Sequence, residues 1–198
     1  MMATRHGAMK TVTNEAKWTG ISATLNLPQT VNVTSGYVDW YLGLGKEVVE
    51  AGISRIKGGQ YKCFLGTGHN NGGKYESVPV SLKDGDKVTL KLIDNGDNTI
   101  SLFMNGTEIH SKFPVKNGRL GTYNTVKMVH GVEDDGTSSY SQASFSNVQL
   151  RANTSGSVYV PWDGSVTFTY TREHLTPNGG ANFTGHSAVP LSTSLSKA

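Results

Sequence analysis

Glu50 interrupts an apolar run, with Val48 and Val49 before it and Ala51, Gly52 and Ile53 after it. In an extended chain successive side chains alternate faces, so Glu50 must point away from Val49 and Ala51. A carboxylate standing on a sheet face can act as a base, accept hydrogen bonds from a sugar, or rest in solvent beside a cation. The preceding segment, Tyr37-Val38-Asp39-Trp40-Tyr41-Leu42, has the same alternation. If Val38, Trp40 and Leu42 fill the core, Asp39 and Tyr41 share a face with Glu50. Ser54 and, on the next segment, Lys62 and Phe64 complete the expected ligand face. An aromatic plate beside a carboxylate suits a sugar, which stacks on the ring and donates its hydroxyls to the oxygens. The structural alternative is a Glu50–Lys62 cross-strand ion pair, worth at most about 1 kcal/mol if exposed.

Other chemistries are poorly supplied. Glu133-Asp134-Asp135 offers the hard oxygens that calcium prefers but lacks the alternating spacing of a calcium loop, so a solvated turn is expected and no cofactor is required. The histidines at 6, 69, 110, 130, 174 and 186 are dispersed, and neither a His-x-x-x-His pair nor a Gly-x-Ser-x-Gly elbow occurs. Gly43-Leu44-Gly45-Lys46 lacks the rest of a phosphate loop and reads as a strand end. Cys63 is the one cysteine, which rules out an internal disulfide; its alternating neighbours make it a buried, inert thiol. A net charge of +3 with scattered Lys and Arg gives no nucleic-acid footprint. No stretch reaches the length of a membrane-spanning helix.

The elements that must position these residues are strands. Ile21, Ala23 and Leu25 alternate with Ser22 and Thr24 before Pro28 ends the segment. Val88, Leu90 and Leu92 alternate in the same way, and Ile100, Leu102 and Met104 follow across an Asp94–Asn98 turn. Asn105-Gly106 then predicts a tight hairpin returning through Glu108 to Phe113, because both positions accept positive φ. Asn70-Asn71-Gly72-Gly73 reads as a loop, and Val126–Val132 and Ser141–Leu150 as further strands. Val158–Val160 and Val166–Tyr170 read as a hairpin around Asp163-Gly164, and Thr171–Leu175 has room for one helical turn at most. No segment holds a helical period. The fold class is therefore all-β, an antiparallel two-sheet, jelly-roll-like sandwich.

The chain divides on patterning into a poorly patterned segment at 1–16, a sandwich at 17–172 and an extension at 173–198 whose end reads as a flexible tail. No signal peptide is visible behind Met1, so the chain is either cytoplasmic or, as preferred, a secreted or cell-surface protein whose signal is absent from this sequence. Asn-x-Ser/Thr sequons at Asn32, Asn105, Asn153 and Asn182 do not decide between these.

Several segments resemble the glutamic peptidases, enzymes with a concanavalin A-like double sheet, and also uncharacterised secreted bacterial proteins of that fold. The similarity runs through Gly20–Pro28, Asp39-Trp40-Tyr41-Leu42-Gly43-Leu44-Gly45, Val49-Glu50-Ala51-Gly52-Ile53 and Val132-Glu133-Asp134, covering roughly 18–150. In that family a glutamine and a glutamate activate the water that attacks a peptide. The resemblance implies Glu50 at the glutamine position and a tryptophan lining the groove at Trp40, where alternation puts it in the core. It sets the glutamate at Val129, four residues before Glu133. The expectation is a lectin-like face of Asp39, Tyr41, Glu50, Ser54, Lys62 and Phe64 that binds a glycan or surface polymer. The alternatives are a peptidase-like or glycosidase-like hydrolase using Glu50 and Glu133, and a structural protein that contacts another protein through this face.

Overall fold

The computed structural model describes residues 4–46, 48–68, 72–152, 158–174 and 181–198. His69, Asn70, Asn71, the sequon asparagine Asn153 and Leu175 lie outside them. Two antiparallel sheets pack face to face. The first has seven strands in the order β14 (Phe168–His174), β1 (Arg5–Thr13), β11 (Val126–Asp134), β4 (Tyr37–Leu44), β5 (Val49–Ile56), β6 (Tyr61–Gly66) and β7 (Tyr75–Pro79). The second runs β10 (Thr107–Pro114), β9 (Thr99–Met104), β8 (Lys87–Asp94), β2 (Gly20–Asn26), β12 (Ser139–Arg151), β16 (Leu191–Ser196) and β15 (Asn182–Ala188). The short β3 (Val31–Asn32) and β13 (Tyr159–Pro161) also pair with β12.

Alternation builds the core. Val38, Trp40 and Leu42 of β4 meet Ile21, Leu25, Leu90, Leu92, Phe145 and Leu150 of the facing sheet, all essentially inaccessible to water. The β8–β9–β10 meander forms as the pattern predicts, and Asn105 and Gly106 both take positive φ (49° and 80°). Cys63 is buried, which pushes its thiol up to about 12.

Three expectations fail, each for a physical reason. Segment 1–16 contains β1, which lies between β11 and β14. Its inward positions include Arg5, Thr11 and Thr13, all buried, so apolar alternation was not there to find. Arg5 is satisfied by a two-pronged bond to Asp134 (2.7 and 2.9 Å) and by the Ser138 and Ser196 carbonyls. The extension likewise docks: β15 and β16 form a hairpin on β12, burying Phe183, Leu191 and Leu195. Its period of two is hidden because the inward position between Leu191 and Leu195 is taken by the polar Thr193. Finally, Asp163-Gly164 does not close a hairpin. The chain changes sheet there, with β13 on β12 and β14 on β1, and β14 runs on to His174.

Candidate functional site: the outer face of the seven-stranded sheet

Register aligns the outward side chains of this sheet into rows. One row crosses from Glu173 through Ala8, Gly131, Asp39 and Ser54 to Lys62. The next runs Thr171, Lys10, Val129, Tyr41, Gly52, Phe64, Ser77. A third runs Val12, Lys127, Gly43, Glu50, Gly66, Tyr75. The sequence-predicted residues Asp39, Tyr41, Glu50, Ser54, Lys62 and Phe64 therefore do share one face. Trp40 faces the core, edge-on to Tyr140 at 5.3 Å between centroids.

Glycines on this face make room for long neighbours to lie flat. A Cβ on Gly43 would fall 2.3 Å from Lys127 Cε, so the lysine crosses the β4 backbone there. Lys127 Nζ donates to Glu50 Oε1 at 2.9 Å, and the Tyr41 hydroxyl donates to the same oxygen at 3.3 Å. Glu50 thus pairs with Lys127, and Lys62, the partner expected from sequence, lies opposite Ser54 and Pro79. At Gly52 a Cβ would strike the Tyr41 side chain, and at Gly66 it would press on the Tyr75 ring. The rings of Tyr41, Phe64 and Tyr75 consequently follow one another from β4 over β5 to β6 and β7, with centroids 5.8 and 6.4 Å apart; Phe64, on the expected ligand face, is itself buried in the middle of the stripe. Tyr75, which the sequence did not single out, is 53% exposed at the open end of this stripe.

The two small residues Ala8 and Gly131 floor a groove of about 480 Å³. Tyr37, Asp39, Tyr41 and Glu50 form one wall, and His6, Lys10 and Glu173 the other. Lys10 and Glu173 form an ion pair at 2.6 Å. Asp39 Oδ1 leans over Gly131, buried and with no donor in hydrogen-bonding geometry. Desolvation first, then the charge of Glu50, pushes the Asp39 carboxyl up to about 7; the Gly131 amide pulls weakly the other way. The Tyr37 and Tyr41 hydroxyls are also pushed up, by burial and then by the surrounding carboxylates.

Glu133 does not join Glu50. It sits opposite Tyr37, whose hydroxyl donates to it at 3.1 Å, whereas Glu50 is level with Lys127. Six residues along the strands and two strand spacings separate them, about 22 Å between Cα atoms at ~3.3 Å per residue and ~4.8 Å per strand. No shared bond can span that distance, so the Glu50–Glu133 dyad is not assembled. Val129, at the glutamate position implied by the peptidase resemblance, is an apolar floor residue between Lys10 and Tyr41. The acids of the 133–135 turn take separate partners: Tyr37 for Glu133, Arg5 for Asp134, and the Ser35 and Thr137 hydroxyls about Asp135.

No family model and no curated protein matches this chain at the level of sequence. Solved structures do match in shape. Scytalido-glutamic peptidase, solved with a peptide-based transition-state analogue, superposes over 100% of both chains with a TM-score of 0.64 at 13% identity. SCP-B, of the eqolisin family of peptidases, superposes over 100% of both chains at 0.61 and 15% identity. The galectin LEC-6 of Caenorhabditis elegans aligns over 62% of this chain and 86% of its own, with a TM-score of 0.38 and 15% identity. At such identities the likeness establishes the fold, a concanavalin A-like sandwich, and nothing about chemistry.

Proposed function

We propose that the outer face of the seven-stranded sheet binds an extended glycan or cell-surface polymer without cleaving it. The observation that carries this reading is the Tyr41–Phe64–Tyr75 stripe, which ends at the Glu50–Lys127 pair and adjoins the groove. Sugar rings stack on aromatic faces, while the carboxylate and ammonium beside them hydrogen-bond to hydroxyls. The fold hosts both lectin-like and hydrolytic proteins, and two features favour binding: the wide Glu50–Glu133 separation and the apolar Val129. A polymer ligand fits a secreted or surface-exposed setting.

A glycan array tests the reading with the parent, Tyr75→Ala and Glu50→Gln. Tyr75 is half exposed, so its truncation leaves the fold alone and weakens binding about five- to tenfold, the value of roughly 1 kcal/mol of stacking. Glu50→Gln weakens binding as well, by removing the charged acceptor. A parent that binds no glycan but cleaves a peptide library, with cleavage abolished in Glu50→Gln, replaces this reading with hydrolysis.

A further inference from the structure

The terminal strands of the two sheets, β14, β7, β10 and β15, differ in how they are finished. A terminal strand offers unpaired amides and carbonyls to any other chain, and proteins blunt such edges with proline, charge, bulges or short length. β7 spans five residues, carries Glu76 and ends in Pro79. β10 has two register shifts against β9, a positive φ at Lys112 and a terminal Pro114. β15 is shifted between Gly185 and Ser187, and Arg172 donates to the Ala181 and Phe183 carbonyls at its start. β14 has none of these devices. Its seven residues pair with β1 without a shift, include no proline and take no positive φ. Its charges are turned aside, Glu173 to Lys10 at 2.6 Å and Arg172 to the β15 carbonyls.

The free backbone groups of β14 follow from its pairing. The Asn14 amide donates to the Thr167 carbonyl at 3.0 Å, so residues of that parity, Thr169, Thr171 and Glu173, spend their backbone groups on β1. The amides and carbonyls of Phe168, Tyr170, Arg172 and His174 point outward, and among the described residues no strand pairs with them. The same strand carries two uncovered rings, Phe168 and Tyr170, each 39% exposed.

We propose that β14 pairs with β14 of a second copy of this chain, antiparallel and centred on Thr171, joining the two seven-stranded sheets into one. The inference is independent of what the outer face binds. Thr171 is the midpoint of the strand, so this alignment pairs its full length. It also sets the residues with outward backbone groups at the hydrogen-bonded positions of the new ladder, Tyr170 opposite Arg172 and Phe168 opposite His174. Each such pair sets a ring beside a guanidinium or an imidazole, and the two-fold repeats each contact. Arg172 bonds the carbonyls in the plane of its guanidinium, which leaves the flat faces to the ring. Thr169 falls opposite Glu173 and Thr171 opposite itself, so no like charges face each other. A strand complementary to itself favours its own copy over an unrelated chain. Because antiparallel pairing preserves faces, the two outer faces look the same way and one long ligand can meet both.

Sedimentation velocity over a dilution series, with cysteine cross-linking, provides the test. The parent reaches twice the monomer mass at about 100 µM and dissociates on dilution, since a single strand pairing buries a small area. Thr171→Lys sets two ammonium groups opposite each other at an exposed position, and it weakens the dimer at least about tenfold with the melting temperature unchanged. Thr171→Cys forms a disulfide between copies under mild oxidation, because partners at a non-hydrogen-bonded position stand about 4.5 Å apart between Cα atoms. Thr169→Cys, which faces Glu173, does not, and the buried Cys63 does not compete. Should Thr171→Lys melt below the parent, the smaller Thr171→Cys change still decides. A parent that stays monomeric over the series overturns the proposal. So does a dimer that Thr171→Lys leaves intact, or one that cross-links at 169 in preference to 171.

Discussion

The two faces of the seven-stranded sheet both carry polar and charged side chains, but they engage them differently. On the inner face Arg5 has both prongs on Asp134 and further bonds to two carbonyls. Thr193 joins His130 and Tyr140, at 2.6 Å each, across the gap between the sheets. These contacts weld β1, β11, β12 and β16 together, although the other ring nitrogen of His130, Nε2, is buried there without a partner. On the outer face Asp39 has an oxygen with no donor, and Glu50 has a lysine that reaches it only by crossing a glycine. Polar groups that complete one another belong to the architecture. Those left incomplete above a groove are available to something outside the chain.

The comparison predicts where substitution is most damaging. Asp134→Ala strands a buried guanidinium and should cost about 3–5 kcal/mol, measured by urea unfolding. A loss under about 1 kcal/mol would show that Arg5 finds water or another acceptor, and the inner face would no longer be the structural one.

Acid should separate the faces next, because their titrations have opposite signs. His130 is held neutral by burial, its value lowered to about 3 from an unfolded value of 6.5. Protons bind the unfolded chain first, so its contribution is full above 6.5 and is lost as pH falls toward 3. Between pH 7 and pH 4 this amounts to about 3 kcal/mol, at 1.36 kcal/mol per unit. His130→Gln should flatten that dependence, whatever its effect on absolute stability; an unchanged slope would reassign the acid sensitivity.

Asp39 should act in the other direction and more weakly. Its folded value, about 7, is raised, so the folded state is favoured below about 4 and penalised as pH climbs through 7. Asp39→Asn should accordingly stabilise the protein by about 1 kcal/mol or more at pH 8 and make little difference at pH 4, a modest figure because the side chain is only partly covered. Melting curves at both pH values decide it. Destabilisation at pH 8 would mean that Asp39 has a structural partner.

Sequence patterning located the outer face better than the strands that border it. Period-two alternation fixed the parity of Asp39, Tyr41, Glu50, Ser54, Lys62 and Phe64, because the opposite positions are apolar and buried. It could not fix pairing. Lys127 lies 77 residues from Glu50, and only the β11–β4–β5 register with a glycine at 43 brings them together. Lys10 and Glu173 escaped notice for a different reason, and His6 was not tied to this face: they lie on strands whose inner positions are not consistently apolar. Glycines opposite long side chains, such as Gly52 beside Tyr41, were the available signal, though it becomes readable only with the register known.

The contact between Arg5 and the Ser196 carbonyl joins positions 191 residues apart. A folding chain must therefore order almost its whole length before this corner can close, which is the topology of a slow folder. Until β16 arrives, β12 presents a long unpaired stretch of backbone and the Leu191 and Leu195 contacts are missing. That interval, more than any feature of the finished sandwich, is when the protein is open to sticking to its own copies.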